Sequence, residues 1–433
     1  MVQYTKITYE VIILKIETKC IQEGWKPKNG EPRVLPIYQS TTYKYDNSAE
    51  MGDLFDLKAD GFFYTRLANP TVAAVESKLA ALEGGVGAML TSSGQAATTM
   101  AIMNIASAGD NVVCSSAVYG GTFNLLGVTL EKFGIHTTFV NPDDDYDTLS
   151  KAVNDRTRLI LGETISNPSL NVLDIEKFAK LAHDNNIPLI VDNTFATPYL
   201  CRPFEWGADI VIHSTSKYLD GHAVSLGGVV IDSGKFDWEA AGKFPELTTP
   251  DESYHGIIYT ESFGNAAYIT KIRTQLMRDI GVMMSPQNAF LLNLGTETLH
   301  LRMPRHSENA MAVAEFLEKD PRVSWVTYPG LPSNPHKALV DKYLPNGASG
   351  VVSFGVDGGR EAAEKCLNAL SLAAIVTHVA DARTCALHPA SATHRQLTDQ
   401  QLKDCGVKPE LIRFSVGIEN IDDIIEDLDK ALG

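Results

Sequence analysis

Two short apolar runs within residues 187–231 each lead to charged residues, and this arrangement constrains the fold more than any other feature. The first run, residues 187–191, ends on Asp192, and the second, residues 209–212, leads into an HSTSK segment that ends on Lys217. Short apolar runs bounded by turn residues are typical of buried strands. Open α/β sheets bind their ligands at the carboxyl ends of such strands. The stretch therefore predicts an α/β sheet with its chemistry at one edge.

The residues at these two strand ends match the needs of one cofactor, pyridoxal phosphate. The Lys217 amine can bond covalently to it, and the Asp192 carboxylate can keep the pyridine nitrogen protonated. Ser214 and Ser216 flank the lysine with hydroxyls that can reach the phosphate. Taken singly, a lysine after a strand is usually a solvated surface residue, and Asp192 could be a helix cap. It is their combination that favours a cofactor site.

Other polar residues also follow predicted strands. Strand candidates at 88–90, 111–114, 137–140 and 158–161 alternate with helical patterns, which predicts a mostly parallel, doubly wound sheet. Candidate functional residues follow these strands, and they are Gly94, Gln95, Tyr119, Glu163 and Asn167. The turn before Gly94 opens a helix and could cradle a phosphate.

The chain divides into three predicted regions. Residues 1–69 are irregular and are expected to form an arm that contacts a neighbouring subunit. Residues 70–280 form the large sheet domain, and residues 281–433, where strict alternation ends, form a smaller α+β domain. Residues 233–260 are polar and predict a surface loop or lid near the active site. Helices are expected over residues 287–303 and, separately, over 309–317.

Charge and cysteine content exclude several classes of protein. The 433 residues carry a net charge of -16, which argues against binding to nucleic acid or to anionic membranes. The longest apolar run near the N-terminus, residues 11–14, is too short for a signal peptide or a membrane span. Six cysteines are scattered without paired short spacings. We therefore expect a cytoplasmic protein with neither disulfides nor a metal site.

Several segments together resemble the PLP-dependent enzymes of cysteine and methionine metabolism. They are PIYQSTTYKYD, YTRLANPT, TSSGQAA, VYGGTFNLL, DIVIHSTSKYLDGHAVSLGG and DARTCALHPASATHRQL. The resemblance runs from about residue 16 to the end of the chain. It implies the aspartate-aminotransferase-like fold (fold type I), with a mostly parallel seven-stranded sheet. The implied reaction is a γ-replacement in methionine biosynthesis, in which O-acetyl-L-homoserine and sulfide, or a thiol, give homocysteine and acetate.

The resemblance also implies a role for individual residues. Lys217 would bond to the cofactor and act with Tyr119, which would stack on the ring and carry a proton for the leaving group. Asn167 would contact the cofactor 3-hydroxyl and, like Tyr64, the substrate. Arg413 would bind the substrate carboxylate. The residues implied for phosphate binding are Gly94, Gln95, Ser214 and Ser216, with Tyr64 and Arg66 reaching the phosphate of the adjacent subunit. The resemblance thus implies a homodimer as the active unit and favours a homotetramer.

The chain departs from the family pattern at a few positions. His378 stands where a small polar residue, usually Asn or Ser, is expected beside the substrate, and Ala380 stands where glycine is usual. Gly121 replaces a cysteine that γ-lyases typically carry, which favours replacement over elimination. Arg383 lies in a motif typical of the subgroup and is expected to contact substrate. His394, in the same motif, could equally be a structural histidine.

Alternative functions remain open at the level of the sequence. A γ-lyase acting on methionine or homocysteine would use the same residues, and so would an enzyme that joins two amino acids as cystathionine γ-synthase does. A PLP-binding scaffold without turnover is a further reading, although the intact set of Lys217, Asp192 and Arg413 weighs against it. The acyl group and the sulfur donor also stay open.

Overall fold

A computed structural model of the chain describes residues 14–392 and 408–433. Seven strands form a first sheet in the order β1-β7-β6-β5-β4-β2-β3. Their bounds are β1 Gly87–Thr91, β2 Asn111–Ser115, β3 His136–Val140, β4 Thr157–Glu163, β5 Leu189–Asp192, β6 Ile210–His213 and β7 Gly228–Asp232. Neighbouring strands are parallel except for β7, which is antiparallel to both β1 and β6. The predicted mostly parallel, seven-stranded sheet is confirmed.

The first sheet is buried by helices, as its composition requires. Strands β2 and β7 are buried at every residue, which matches the near-continuous apolar runs of strands covered on both faces. The helices of residues 16–280 are α1 Ile16–Gln22, α2 Ser48–Phe55, α3 Pro70–Glu83, α4 Gly94–Met103, α5 Gly120–Asn124, α6 Tyr146–Ser150, α7 Ile175–Asp184, α8 Thr197–Leu200, α9 Trp238–Ala241, α10 Pro245–Thr248, α11 Tyr259–Phe263, α12 Ala267–Lys271 and α13 Arg278–Ile280. Short 3-10 and π-helical turns connect several of them.

A second, smaller sheet lies in the C-terminal part of the chain. Its five strands run in the order β10-β11-β12-β9-β8 and are mostly antiparallel. Their bounds are β8 Val323–Thr327, β9 Val351–Val356, β10 Ala374–Ile375, β11 Cys385–Leu387 and β12 Leu411–Ser415. The helices of this part are α14 Pro286–Glu297, α15 Leu299–Lys319, α16 Lys337–Tyr343, α17 Gly359–Ala369 and α18 Ile421–Leu432. Each sheet falls inside one predicted region, 70–280 or 281–433, while the boundary itself stays a prediction.

The predicted break between the two helices of residues 287–317 was wrong, because the break lies at residue 298. Helix α14 ends at Glu297, and α15 then continues from Leu299 to Lys319 with Pro304 inside it. Residues 304–308, which separate the two predicted helices, are helical and belong to α15. In the structure the buried His306 ring donates from Nδ1 to the Val416 carbonyl, 2.8 Å away. Long-range hydrogen bonding therefore lets polar residues face the core of this helix.

Residues 233–260 do not form a lid over the site of their own subunit. They fold into short helices, and Trp238, Phe244 and Tyr259 are buried. The Trp238 ring stacks on Tyr268 with centroids 5.4 Å apart. Large aromatic side chains anchor this segment in the core because each removes much apolar surface from water. The sequence pattern lacked a clear period, although the aromatic content pointed to burial.

The N-terminal arm is not wholly detached from its own subunit. Helix α1 contacts α3, α14 and α15, and its Cys20 is fully buried. Beyond α1 the arm is largely irregular until Asn69, whose side chain accepts from the backbone N–H groups of Thr71 and Val72 and caps α3. The sequence Asn-Pro-Thr at residues 69–71 predicts such a cap, and the prediction is confirmed, since this geometry satisfies the free N–H groups of the first turn.

Candidate active site

A cavity of about 260 Å³ opens at the carboxyl ends of β4, β5 and β6 and is closed on one side by β12. It brings together most of the residues predicted for the site. Those that line it are Gly94, Gln95, Tyr119, Asn167, Asp192, Ser214, Ser216, Lys217, His378 and Arg413. This location is the ligand-binding edge expected of an open α/β sheet.

Asp192 is held in one orientation by the residue two positions later. Its Oδ1 atom accepts from the Thr194 backbone N–H at 2.9 Å and from the Thr194 hydroxyl at 2.5 Å. Burial raises the pKa of the Asp192 carboxyl, and the Thr194 hydrogen bonds oppose that rise. Both bonds use Oδ1, so Oδ2 is left for another donor. The sequence analysis assigned no role to Thr194, although a hydroxyl two residues after the strand-end aspartate is a signal for such a contact.

Glu163 ends the neighbouring strand in register with Asp192. Its Oε1 accepts from the Tyr119 backbone N–H at 2.7 Å, and its Oε2 accepts from the Asn167 backbone N–H at 3.3 Å. Burial, and then the charge of Asp192, raises the pKa of Glu163 well above its usual range. The sequence placed Glu163 after a strand but assigned it no task. In the structure it fixes the backbone of two predicted cofactor-contacting residues.

Tyr119 precedes α5 and exposes 48% of its surface at the cavity. The turn beside it has little room. A Cβ atom at Gly121 would lie 2.4 Å from Gln95 Nε2 and 2.4 Å from Tyr119 Cε1. Any side chain at position 121 would therefore displace the Gln95 amide or the Tyr119 ring. The glycine keeps the aromatic face and the amide in their present places.

The turn between β1 and α4 forms a cradle at a helix N-terminus. Ser93 caps α4 by accepting from the Ala96 backbone N–H at 3.1 Å. A Cβ atom at Gly94 would lie 2.6 Å from the Ser214 Cβ atom, so glycine is needed for this approach. The Gln95 Oε1 atom is buried and has no hydrogen-bond partner among the described residues. Backbone N–H groups, the NH2 group of the Gln95 amide and the nearby Ser214 hydroxyl are donors that suit a phosphate.

Lys217 points its amine into the cavity, where Nζ lies 3.3 Å from His378 Nδ1. Burial, and next the positive charge of Arg413, lowers the pKa of Lys217 to about 8. The Ser216 hydroxyl accepts from the Gly227 N–H at 3.0 Å and donates to the Gly227 carbonyl at 3.2 Å. Ser216 thus fixes the loop after the lysine as well as lining the cavity.

Arg413 on β12 extends its buried guanidinium to the same cavity. Nη1 donates to Asn167 Oδ1 at 3.2 Å, and Nη2 donates to the Thr377 and His378 carbonyls at 3.2 and 3.1 Å. No carboxylate of the described residues lies within ion-pair distance of Arg413. A buried guanidinium with only neutral partners is prepared to bind a carboxylate.

Three predicted site residues lie outside this cavity. Arg383 pairs with Asp381 at 2.8 Å and its side chain is 68% exposed, because the carboxylate two residues earlier is the nearer partner. Tyr64 is 39% exposed on the arm, and the Arg66 guanidinium lies over its ring and donates to the Arg278 carbonyl. His394 falls outside the described residues.

The residues of the cavity fit pyridoxal phosphate. The tight Gly94–Ser214 approach lets the N–H groups at the start of α4 face the cavity, and with the Gln95 amide NH2 and the Ser214 hydroxyl these donors form a place for the phosphate. Asp192 Oδ2 can pair with a protonated ring nitrogen, and Lys217 supplies a buried amine of lowered pKa. Among the described residues no cluster of side chains suits a metal ion, and none of their helices is long and apolar enough to cross a membrane.

Comparison with known proteins agrees with this geometry. The family model of Cys/Met metabolism PLP-dependent enzymes matches residues 17–433. Homocysteine synthase of Schizosaccharomyces pombe is 48% identical over 419 residues, which cover 96% of this chain and 97% of that protein. O-acetyl-L-homoserine sulfhydrylase of Leptospira meyeri is 46% identical over 428 residues, which cover 96% of each chain.

A solved structure is also similar. It comes from Campylobacter jejuni, is named as an O-acetylhomoserine (thiol)-lyase and contains a pyridoxyl-lysine phosphate. The two structures superpose with a TM-score of 0.92 at 37% identity, covering 97% of this chain and all of that one. Both the family match and the identity to relatives extend over nearly the whole sequence. The chain therefore belongs to the Cys/Met metabolism PLP-dependent enzymes.

Proposed function

We propose that this enzyme catalyses a γ-replacement in methionine biosynthesis, in which O-acetyl-L-homoserine and sulfide give L-homocysteine and acetate. Relatives that are 42–48% identical are named for homocysteine synthesis or for O-acetyl-L-homoserine sulfhydrylation. The observation that carries the proposal is that Lys217 and Arg413 line the same cavity, and that the buried Arg413 has only neutral partners. One side chain can move protons while the other holds an amino-acid carboxylate.

The side chains divide the work by position. Pyridoxal phosphate, when bound, supplies an electron sink for the substrate α-carbon. Lys217 then acts as the base that takes the α-proton at Nζ, and its lowered pKa keeps a large neutral fraction near pH 8. Asp192 Oδ2 holds the proton on the ring nitrogen, while Thr194 keeps the carboxylate aligned. The cradle at Gly94, Gln95 and Ser214 holds the phosphate.

Substrate orientation comes from the second sheet. Arg413 can bind the α-carboxylate bidentately. Its hydrogen bond to Asn167 Oδ1 links the carboxylate site to the cofactor side of the cavity. Tyr119 covers the ring position and carries a proton near the leaving acetate. Because β12 brings Arg413 to the edge of the first sheet, the substrate lies between the two sheets.

The competing reaction is a γ-elimination that ends in 2-oxobutanoate. The absence at Gly121 of the cysteine typical of γ-lyases supports replacement, and the turn as folded has no room for that side chain unless Tyr119 or Gln95 moves. The same cavity otherwise serves both reactions. The choice between them therefore depends on whether sulfide or water completes the turnover.

A paired assay tests the proposal. The enzyme is incubated with O-acetyl-L-homoserine plus sulfide, and separately with methionine or homocysteine, while homocysteine and 2-oxobutanoate are measured. We expect fast formation of homocysteine in the first mixture and little 2-oxobutanoate in the second. Dominant 2-oxobutanoate formation would establish the lyase instead. A Lys217→Ala variant, shown to be folded by circular dichroism, should lose turnover in both mixtures.

The assembly and location of the enzyme complete the proposal. Tyr64 and Arg66 contact the phosphate of a neighbouring subunit, which makes a homodimer the active unit within a homotetramer. The support is that Lys217 and Arg413 are the cations lining the described cavity and both have other tasks. The five described cysteines are free, as is usual in the reducing cytoplasm where we place the enzyme. Light scattering of the purified enzyme measures the number of subunits.

A further inference from the structure

His378 makes a contact that the reaction scheme above does not use. Its Nδ1 atom lies 3.3 Å from Lys217 Nζ, although the two residues are 161 positions apart in the chain. Within the described residues, His378 is the hydrogen-bond partner of the Lys217 amine. The position is also where the sequence departs from the small polar residue expected in this family.

The direction of this hydrogen bond follows from the chemistry of the two groups. A lysine ammonium has only donors, so Nδ1 of His378 must be the acceptor. Burial, and then the charge of Lys217, lowers the pKa of the imidazole to about 4, which leaves the ring neutral. The ring proton therefore belongs on Nε2, which is buried and without a described partner. Nδ1 is the atom through which the ring acts on the site.

The acceptor is held in place from several sides. The His378 carbonyl accepts from Arg413 Nη2 at 3.1 Å and from the Cys385 thiol at 3.6 Å. Two residues later, the Ala380 N–H donates to Ser415 Oγ at 2.8 Å, and Ala380 adopts a φ of 66°. This left-handed turn explains why glycine is the usual residue at position 380. The segment that carries His378 is thus fixed to β12.

We propose that His378 is a positioning residue that holds the Lys217 amine, through Nδ1, whenever that amine is not bonded to the cofactor. The inference rests on the proposed role of Lys217 as the base. A released lysine side chain is long and flexible, and it must stay beside the substrate α-carbon to take its proton. A fixed acceptor beside Nζ limits that freedom without removing the proton. His378 Nδ1 provides such an acceptor.

Four other groups influence the two partners. Arg413 lowers the pKa of both Lys217 and His378, and the Cys385 thiol raises that of Lys217. Asp381 and Asp220 raise the pKa of His378. None of them is altered by the variants used below, so a change in the behaviour of Lys217 reports on the His378 contact.

The first test measures how the apoprotein captures pyridoxal phosphate as a function of pH. Capture requires the neutral Lys217 amine, and an acceptor bonded to the ammonium favours the charged form. In His378→Leu the pH midpoint of capture should therefore move downward. In His378→Asn the midpoint should stay, because Asn Oδ1 is bonded to Cγ as Nδ1 is. His136→Asn, at the exposed first residue of β3, is the matched control.

The second test measures the base in the loaded enzyme without the replacement reaction. Deuterium exchange at the α-carbon of L-2-aminobutyrate, which has no leaving group, is followed by NMR. We expect His378→Leu to lower the maximal exchange rate about 10-fold with little change in KM. His378→Asn should remain close to wild type.

The outcomes separate this inference from the proposed function. If His378→Asn behaves like His378→Leu, or if neither variant moves the pH midpoint or the exchange rate, His378 does not position Lys217. The exchange assay contains no ester and no sulfide. A chain that fails to make homocysteine but needs His378 for exchange would refute the proposed reaction and leave the positioning role intact.

Discussion

Glu163 and Asp192 end neighbouring strands side by side, but their carboxylates have different partners. One Asp192 oxygen accepts both hydrogen bonds from Thr194, and the other is available to a ring nitrogen. Glu163 uses both oxygens on the backbone N–H groups of Tyr119 and Asn167. Burial raises the pKa of Glu163, and Asp192 raises it further because two adjacent carboxylates repel when both are charged. Glu163 is thus suited to hold the site together.

Replacing Glu163 by glutamine tests this role at the scale of one residue. The amide can accept from only one of the two N–H groups and faces the other with its own donor. We expect kcat/KM to fall about 10-fold or more, since an unsatisfied buried donor costs about 1–3 kcal/mol. Steady-state kinetics measures the effect. Glu176→Gln on α7, an exposed residue paired with Lys342, should keep wild-type rates.

The role of Glu163 could not be predicted because its partners are set by the sheet. The sequence places it after an apolar run, which identified it as a candidate. The Tyr119 N–H that it accepts from is 44 residues away. Only the parallel pairing of β2, β4 and β5 brings the two together. Strand order is a property of the packed fold, so a local pattern does not report it.

Helix α4 performs its task through its first turn. Gly94 lets that turn approach Ser214, and a Gly94→Ala methyl group would lie 2.6 Å from the Ser214 Cβ atom and 2.9 Å from its Cα atom. The helix start must then move away, so we expect cofactor affinity to fall about 10-fold or more. A titration of the apoprotein with pyridoxal phosphate measures it. Gly52→Ala in α2, where an added Cβ meets nothing within 4 Å, should bind normally.

Helix α15 carries a buried histidine, His306, and its burial makes the free energy of unfolding of the protein depend on pH. Burial lowers the pKa of His306 to about 4 in the folded state, from about 6.5 when unfolded. The unfolded chain therefore binds the proton first, and stability falls as pH drops from about 6.5 towards about 4. Between pH 7 and pH 5 this contribution amounts to about 2 kcal/mol.

His306→Asn removes that titration while keeping a donor for Val416. We expect its unfolding free energy in urea to change less between pH 7 and pH 5 than that of wild type, by up to about 2 kcal/mol. Other groups titrate equally in both proteins, so the difference isolates His306. An equal pH dependence of the two proteins would contradict a neutral His306 in the folded state.

The whole molecule builds its site from both sheets and, as proposed, from a second subunit. The first sheet delivers Asp192 and Lys217, and β12 of the second sheet delivers Arg413. Tyr64 lies on the arm, away from the cavity of its own subunit. A dimer in which Tyr64 and Arg66 of each subunit reach the neighbouring cavity would complete each site with a cation for the phosphate.

Subunit mixing tests this arrangement. Lys217→Ala and Arg66→Ala should each be nearly inactive alone. When the two are unfolded and refolded together in equal amounts, half of the dimers are mixed, and each mixed dimer has one intact site. We expect about one quarter of wild-type activity to return. If the mixture stays inactive while size-exclusion chromatography shows dimers, Arg66 does not act across the subunit boundary.

Local patterns of the sequence determined the cofactor and identified most of the predicted site residues that line the cavity. The apolar runs before Asp192 and Lys217 mark buried strands, because a parallel strand covered on both faces requires a continuous apolar run. The ends of these runs mark the carboxyl edge of the sheet, where ligands bind. Capping residues such as Asn69 are equally local, since a helix end is satisfied by its own neighbours.

The tertiary structure decided which distant residues meet. It set His378 beside Lys217 and buried polar residues of α15 through hydrogen bonds to distant carbonyls. Arg383 pairs with the nearby Asp381 instead of reaching the cavity. Each of these contacts joins groups whose distance is set by packing of whole elements, or by competition between alternative partners. The sequence by itself thus determined the chemistry of the site. Packing decided the geometry that directs this chemistry, because long-range contacts form only in the assembled core.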